Sequence, residues 1–241
     1  MTVTDELFSR DAYLAATDAT VVEVRDDGVV LDRTVFYARG GGQPGDTGCL
    51  RWDGGEAKVV DTVKARGEVL HLLEEGVTPP AVGASIVAEI DWGRRHTLMR
   101  THTALHALSG IVFGDYGAKV TGGNMEPGVA RMDFELDAIS QEFGHEVEQK
   151  LNAALRRDHP VHVSFVPRTK ALADPDLIRT KVSLIPESVD PIRVIDIEGL
   201  DKQADGGTHV RSTAEVGYVR VVKTESKGRA NKRMRIELDE P

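Results

Sequence analysis

The sequence predicts an α+β protein in which a small N-terminal β-barrel is followed by an α+β half, and three observations carry that prediction. Over about the first ninety residues, short aliphatic and β-branched runs recur between Asp-Asp-Gly, Asp-Gly-Gly and Pro-Pro turn signals. From Arg94 the apolar spacing changes to the helical period. A histidine pair one helical turn apart, His102 and His106, is answered about a hundred residues later by Asp205-Gly-Gly-Thr-His209.

The first part contains candidate strands at 20–24, 29–31, 34–37, 58–63, 69–73 and 86–90, a spacing that suits a small barrel. Two domains are therefore expected, 1–92 and 93–241. In the second, Leu98, Thr101, Leu105, Leu108 and Val112 form one helical stripe, with His102 and His106 a single residue step to its side. The histidines then sit at the edge of the core face, where a cleft can open. A second helix, capped by Ser140, runs to about Arg157 and buries Phe143, Val147, Leu151 and Leu155. Strands near 130–134, 161–166, 193–197, 218–222 and 234–238 complete this half, and no internal repeat or low-complexity segment interrupts it.

Composition bounds the function. With 241 residues and 40% hydrophobic content, the chain can bury a sizeable core as one large domain or two small ones. Cys49 is the single cysteine, which excludes an internal disulfide, and the longest apolar runs fall short of a membrane span. The start Met1-Thr-Val-Thr-Asp-Glu lacks the basic and apolar stretches of a signal peptide, so a soluble cytoplasmic protein with no membrane partner is expected. A formal net charge of -9 argues against indiscriminate nucleic-acid binding. Charge is unevenly spread, however. Lys223, Lys227, Arg229, Lys232, Arg233 and Arg235 face the single acid Glu225, and Arg94, Arg95 and Arg100 crowd the approach to the histidine helix. Solvated faces and phosphate-binding faces both fit these clusters.

An i, i+4 histidine pair with a later ligand pair on a glycine-rich turn can complete a tetrahedral metal site. The residue after His102 is Thr103 rather than the glutamate that serves zinc proteases as base, which disfavours protease chemistry. What remains is a metal whose bound water attacks an activated carbonyl. His71, His96, His145, His159 and His162 read as ordinary core or surface residues. The run Gly40-Gly41-Gly42-Gln43-Pro44-Gly45-Asp46-Thr47-Gly48 is not a phosphate loop: it lacks the Lys-Ser/Thr pair and no helix pattern follows, so no ATP is expected. Its glycines allow close backbone approach, and the Gln43 amide can donate and accept; a plain flexible turn is the other reading.

Taken in order, Phe36-Tyr37 with the glycine-rich run, Arg100-Thr-His-Thr-Ala-Leu-His106, Gly206-Gly-Thr-His-Val210 and Glu215-Val-Gly217 span almost the whole chain. In that order and spacing they resemble the AlaX family of free-standing alanyl-tRNA editing proteins, which look like the editing part of alanyl-tRNA synthetase. The resemblance implies an N-terminal β-barrel and a C-terminal editing domain of the threonyl/alanyl-tRNA synthetase type. It also implies hydrolysis in trans of tRNA(Ala) mischarged with serine or, in some members, glycine, with one Zn2+ per chain. Two helix ligands fall on His102 and His106, and the last on His209. The remaining ligand, usually cysteine, falls on Asp205, which keeps the negative charge but is harder than a thiolate. Asp205 is expected as the fourth ligand, against a general base beside a three-histidine metal and, third, a metal-free site. Thr121 matches a threonine placed where the seryl hydroxyl binds in related small editing proteins, and Gln43 is a second candidate for that sensing. A strand-end role for Thr121 and an interface role for Gln43 are the bland alternatives. Arg94, Arg95, Lys227, Arg229, Lys232 and Arg233 are the expected tRNA contacts. Two other functions stay open: a non-catalytic tRNA-binding quality-control module, which three retained histidines argue against, and a metal-dependent hydrolase of another aminoacyl ester.

Overall fold

The computed structural model describes residues 4–174, 177, 187 and 189–239, and the chain divides into two units, Met1–His96 and Thr97–Pro241. The first unit holds β1 (Asp5–Glu6), β2 (Ala16–Arg25), β3 (Gly28–Leu31), β4 (Arg33–Thr34), β5 (Gly48–Trp52), β6 (Gly55–Ala65), β7 (Glu68–Leu73) and β8 (Ser85–Ile90). Six of them close a barrel in the order β2-β3-β7-β6-β5-β8, while β1 and β4 form a short parallel pair. The barrel follows from alternation: β8 turns Ile86, Ala88 and Ile90 inward, where they meet Val21, Val29, Leu31, Leu50 and Val59. The expected small N-terminal barrel is present.

Residues 34–37 do not form the expected strand. Pairing stops after Thr34, and Val35, Phe36 and Tyr37 continue as buried irregular chain. Their backbone groups bond to side chains instead of a ladder: Phe36 N donates to Thr34 Oγ1 at 3.0 Å, Tyr37 N to Asp46 Oδ2 at 2.6 Å, and Val35 O accepts Arg95 Nη2 at 2.7 Å. The glycine-rich run serves the same knot. A Cβ on Gly45 would lie 2.2 Å from Thr62 O and one on Gly48 would lie 2.1 Å from Glu89 O, so only glycine lets the run press against the barrel. The surface these glycines approach is thus the unit's own sheet.

The second unit is built on α1 (Trp92–Tyr116), which begins in the first unit, where Asp91 Oδ1 accepts Arg94 N at 3.0 Å. The remaining elements are β9 (Val120–Glu126), β10 (Val129–Phe134), α2 (Gln141–Leu155), β11 (Val161–Val166), α3 (Arg168–Ala173), β12 (Ile192–Ile197), β13 (Asp201–Ala204), β14 (Val219–Ser226) and β15 (Lys232–Leu238). They form two antiparallel sheets among the described residues, β14-β15-β10-β9 and β11-β12-β13. Ser140 caps α2 as expected, accepting Phe143 N at 3.1 Å. Asn152 then docks α2 on β14, exchanging two hydrogen bonds with the Val219 backbone at 2.7 and 2.9 Å. No helix among the described residues is long and apolar enough to cross a membrane.

Candidate metal centre

Helix α1 carries buried polar groups in an unusual density. Every residue from 98 to 112 is buried, so the expected apolar stripe is one side of an enclosed rod rather than a boundary with a cleft. Burial of a polar group is costly unless it finds a hydrogen bond, and each one here is answered from elsewhere in the unit. Arg100 donates to Val216 O and Asp239 O, and the Thr101 hydroxyl donates to Thr97 O and accepts Gly128 N.

His102 and His106 face the turn that follows β13, where Asp205 and His209 stand. One ligand-capable atom from each of the four residues lies within 4.8 Å of every other. Asp205 Oδ2 is 3.1 Å from His209 Nε2, and Asp205 Oδ1 is 3.6 Å from His102 Nε2. Zinc bonds of 2.0–2.2 Å in a tetrahedron require donor separations of about 3.3–3.6 Å, so a zinc-sized ion fits this set with small adjustments. The Gly-Gly turn is held in shape by Gly207 N, which donates to Asp205 Oδ2 at 2.6 Å, and by Arg193 Nη1, which donates to Asp205 O and Gly207 O.

The protonation states suit ligation. Burial pushes the His102 imidazole down to about 4, against the opposing pull of the Asp205 carboxylate. Burial, with the neighbouring His102 next, holds His209 well below the ordinary imidazole value. Burial would raise Asp205, yet the surrounding histidines outweigh it and keep the carboxylate well below its usual range. Burial also opposes a charged His106, but the hydrogen bond and charge of Asp201 exceed it and raise that ring. Neutral His102 and His209 beside the ionised Asp205 are donors a divalent metal takes, while His106 would have to give up the proton that Asp201 favours before it could ligate.

Four further residues were not visible to motif reading. Asp201 Oδ2 lies 3.0 Å from His106 Nδ1 and accepts Gln203 Nε2 at 2.8 Å, while Gln203 Nε2 also reaches Ser109 Oγ at 3.2 Å. Thr103 Oγ1 lies 3.1 Å from His209 Nδ1 and accepts Val210 N at 3.3 Å. Both contacts occupy Nδ1 and leave Nε2 toward the cluster. A signal was present for two of these residues: Asp201, Gln203 and Asp205 alternate, and a strand places such residues on one face.

The other expected site residues are not among the four that cluster. Thr121, exposed at the start of β9, donates its hydroxyl to Asn231 Oδ1 at 3.0 Å. Gln43 belongs to the first unit, buried at a turn closed by Gly40 N to Gln43 O and Gln43 N to Gly40 O. The expectation that Arg95 touches tRNA is corrected: its side chain is 0% exposed, locked to Asp46 and to Val35 O and Ala12 O, and holds the glycine-rich run to the start of α1. Arg94 is half-buried and donates to Gly45 O. Lys232 is buried, its Nζ donating to Gly228 O, and Arg233 forms a two-pronged pair with Asp133. Lys227 and Arg229 are exposed in the turn between β14 and β15, where Lys227 Nζ stands 3.5 Å from Glu225.

Comparison with known proteins agrees with this anatomy. The family model described as tRNA synthetases class II (A) matches residues 12–94, and the one described as Threonyl and Alanyl tRNA synthetase second additional domain matches residues 192–235. The second segment contains Asp201, Gln203, Asp205 and His209. Alanyl-tRNA editing protein AlaX-M of Saccharolobus solfataricus is 34% identical over 96% of this chain and 98% of its own length. That of Methanosarcina mazei is 35% identical over 98% and 97%. The alanine–tRNA ligase of Pyrobaculum calidifontis is 39% identical over 92% of this chain, which spans 25% of the ligase. A likeness that runs nearly end to end through the free-standing proteins, and covers only a part of the ligase, places this chain in the AlaX family of alanyl-tRNA editing proteins.

Proposed function

We propose that this protein is a metal-dependent trans-editing hydrolase that deacylates tRNA(Ala) mischarged with serine, with the glycyl ester as the second substrate to measure. The observation that carries the reading is the enclosed His102, His106, Asp205, His209 cluster in a chain similar to AlaX-M over nearly its full length. Zinc is the proposed ion, held by the three Nε2 atoms and an Asp205 oxygen. When bound, such an ion supplies Lewis acidity and brings a water within reach of ionisation near neutral pH. An aminoacyl ester is already activated, so the remaining requirements are position and charge rather than a covalent nucleophile. Asp205 serves this reading as a ligand: its Oδ2 is already taken up by Gly207 N and His209, and its Oδ1 faces His102.

Selectivity against the correct alanyl ester needs groups that lose a partner when the seryl hydroxyl is missing. Thr121, on the strength of the family resemblance, and Gln43 are the proposed sensors. Lys227 and Arg229 are the proposed phosphate contacts, supported by their exposure, and Arg94 is a third. Deacylation of Ser-, Gly- and Ala-tRNA(Ala), with zinc measured by elemental analysis on the same preparation, tests the proposal. Hydrolysis of the seryl ester with the alanyl ester spared, lost on chelation, is expected. Tight tRNA binding without hydrolysis would favour a non-catalytic module, and hydrolysis of other esters alone would reassign the substrate.

A further inference from the structure

We infer that Asp201 is a positioning residue that holds the His106 ring with Nε2 turned toward the metal cluster, and that Gln203, Ser109 and Gly110 hold Asp201 there. This rests on the reading of the cluster as a metal centre. An ionised carboxylate only accepts hydrogen bonds. With the Asp201 oxygen 3.0 Å from His106 Nδ1 as the acceptor, the neutral ring carries its proton on Nδ1 and keeps the lone pair on Nε2. An amide or hydroxyl at the same place could donate as well as accept, and would not choose between the two tautomers.

The surroundings fix the carboxylate in turn. Gln203 Nε2 donates to the same Oδ2 and reaches Ser109 Oγ, three residues beyond His106, so the clamp leaves α1 at one residue and returns at the next turn. Asp201 is 3% exposed and Gln203 9%. Burying a carboxylate costs several kcal/mol unless it is paired, so a filler role alone would be served better by an apolar side chain. Close approach is possible because position 110 has no side chain: a Cβ there would lie 2.4 Å from Leu200 O and 3.0 Å from Asp201 Cβ. Thr103 stands in the matching place beside His209 Nδ1.

The test uses the full-length protein, wild type, Asp201→Asn and Asp201→Ala, stripped of metal and uniformly labelled with 15N-histidine. Long-range proton–nitrogen correlation reports the His106 tautomer, and competition with a chelator reports zinc affinity. Wild type should show the Nδ1–H form. Asp201→Ala should lose that preference and bind zinc toward a hundredfold more weakly, and the isosteric Asp201→Asn about tenfold more weakly. If Asp201→Ala does not fold, Asp201→Asn decides alone. Wild-type zinc affinity in a folded Asp201→Asn, or an unchanged tautomer in a folded Asp201→Ala, overturns the inference. If wild-type protein takes up no zinc, the metal reading fails, and the tautomer measurement still decides what Asp201 does to His106.

Discussion

Replacing Gly110 with alanine should destabilise the second unit, even though alanine is the better helix former. In an unobstructed helix interior, Gly→Ala gains about 1 kcal/mol. At position 110 the new methyl would stand 2.4 Å from the Leu200 carbonyl oxygen, whereas ordinary C···O contacts lie at about 3.3–3.6 Å. The obstacle is backbone, so the β12–β13 turn must retreat by about 1 Å or the helix must shift. Overpacking of this kind costs about 1–3 kcal/mol, which offsets or exceeds the helical gain.

Position 114 supplies the control. It lies on the same helix, exposed, and no described residue comes within 4 Å of where its Cβ would stand. Gly114→Ala should stabilise by up to about 1 kcal/mol, less if the last turn frays. Two identical substitutions four residues apart should therefore differ by about 1–3 kcal/mol, with Gly110→Ala the less stable of the two. Urea unfolding of the metal-free variants followed by circular dichroism reads this difference. Because the retreating turn carries Asp201, Gly110→Ala should also weaken zinc binding while Gly114→Ala leaves it alone. Equal midpoints together with equal zinc affinities would refute the reasoning, since the Leu200 contact would then exert no force.

Three further outcomes are expected. Asp205→Cys should raise zinc retention against a chelator and keep much of the deacylation, whereas Asp205→Asn should weaken retention; normal retention with activity lost by about 10²–10⁴ in Asp205→Asn would instead make Asp205 a general base. Burial holds His71 neutral at about 4, against the backbone hydrogen bond to Val29, so the unfolded chain binds a proton there that the folded barrel does not. Stability of the first unit should fall as pH drops from 6.5 toward 4 and then level off, by about 3 kcal/mol from this group; His71→Asn should remove that slope in urea titrations, and an unchanged slope would assign it to other groups. Neutralising Lys227 and Arg229 together should weaken tRNA binding and flatten its salt dependence by about one to two units of slope, with zinc content unaffected; identical affinity at two salt concentrations would make that turn a solvated surface.

Legibility in this chain followed the range over which each signal acts. Strands with local alternation or dense β-branched content, such as Ile86-Val-Ala-Glu-Ile90, announce themselves within a few residues. Strand β5 has a single fully buried aliphatic, Leu50, within Gly-Cys-Leu-Arg-Trp, and β9 reads Val-Thr-Gly-Gly-Asn-Met-Glu. Neither has a pattern of its own, because pairing with neighbours already in place makes them strands. The opposite error at residues 34–37 has the same origin: the local residues favour a strand, but Thr34, Asp46 and Arg95 take the backbone groups a ladder would use.

The metal cluster divides along the same line. His102 with His106 and Asp205 with His209 are each set by a spacing of four residues, so the ligand pairs can be read as two short motifs. What aims them cannot, because the Asp201 contact to His106 crosses 95 residues and the Thr103 contact to His209 crosses 106. Arg95 shows the cost of reading charge without that context: the arginine next to Arg94 in a basic run is the largest fully buried side chain among the described residues, tied to a carboxylate 49 residues earlier. A buried charge is tolerated only where its partner is fixed. It follows that in this fold the residues most sensitive to substitution outside the ligand set should be the ones that sequence spacing leaves anonymous, Asp46, Arg95, Asp201 and Gly110, because each joins segments that no local motif connects.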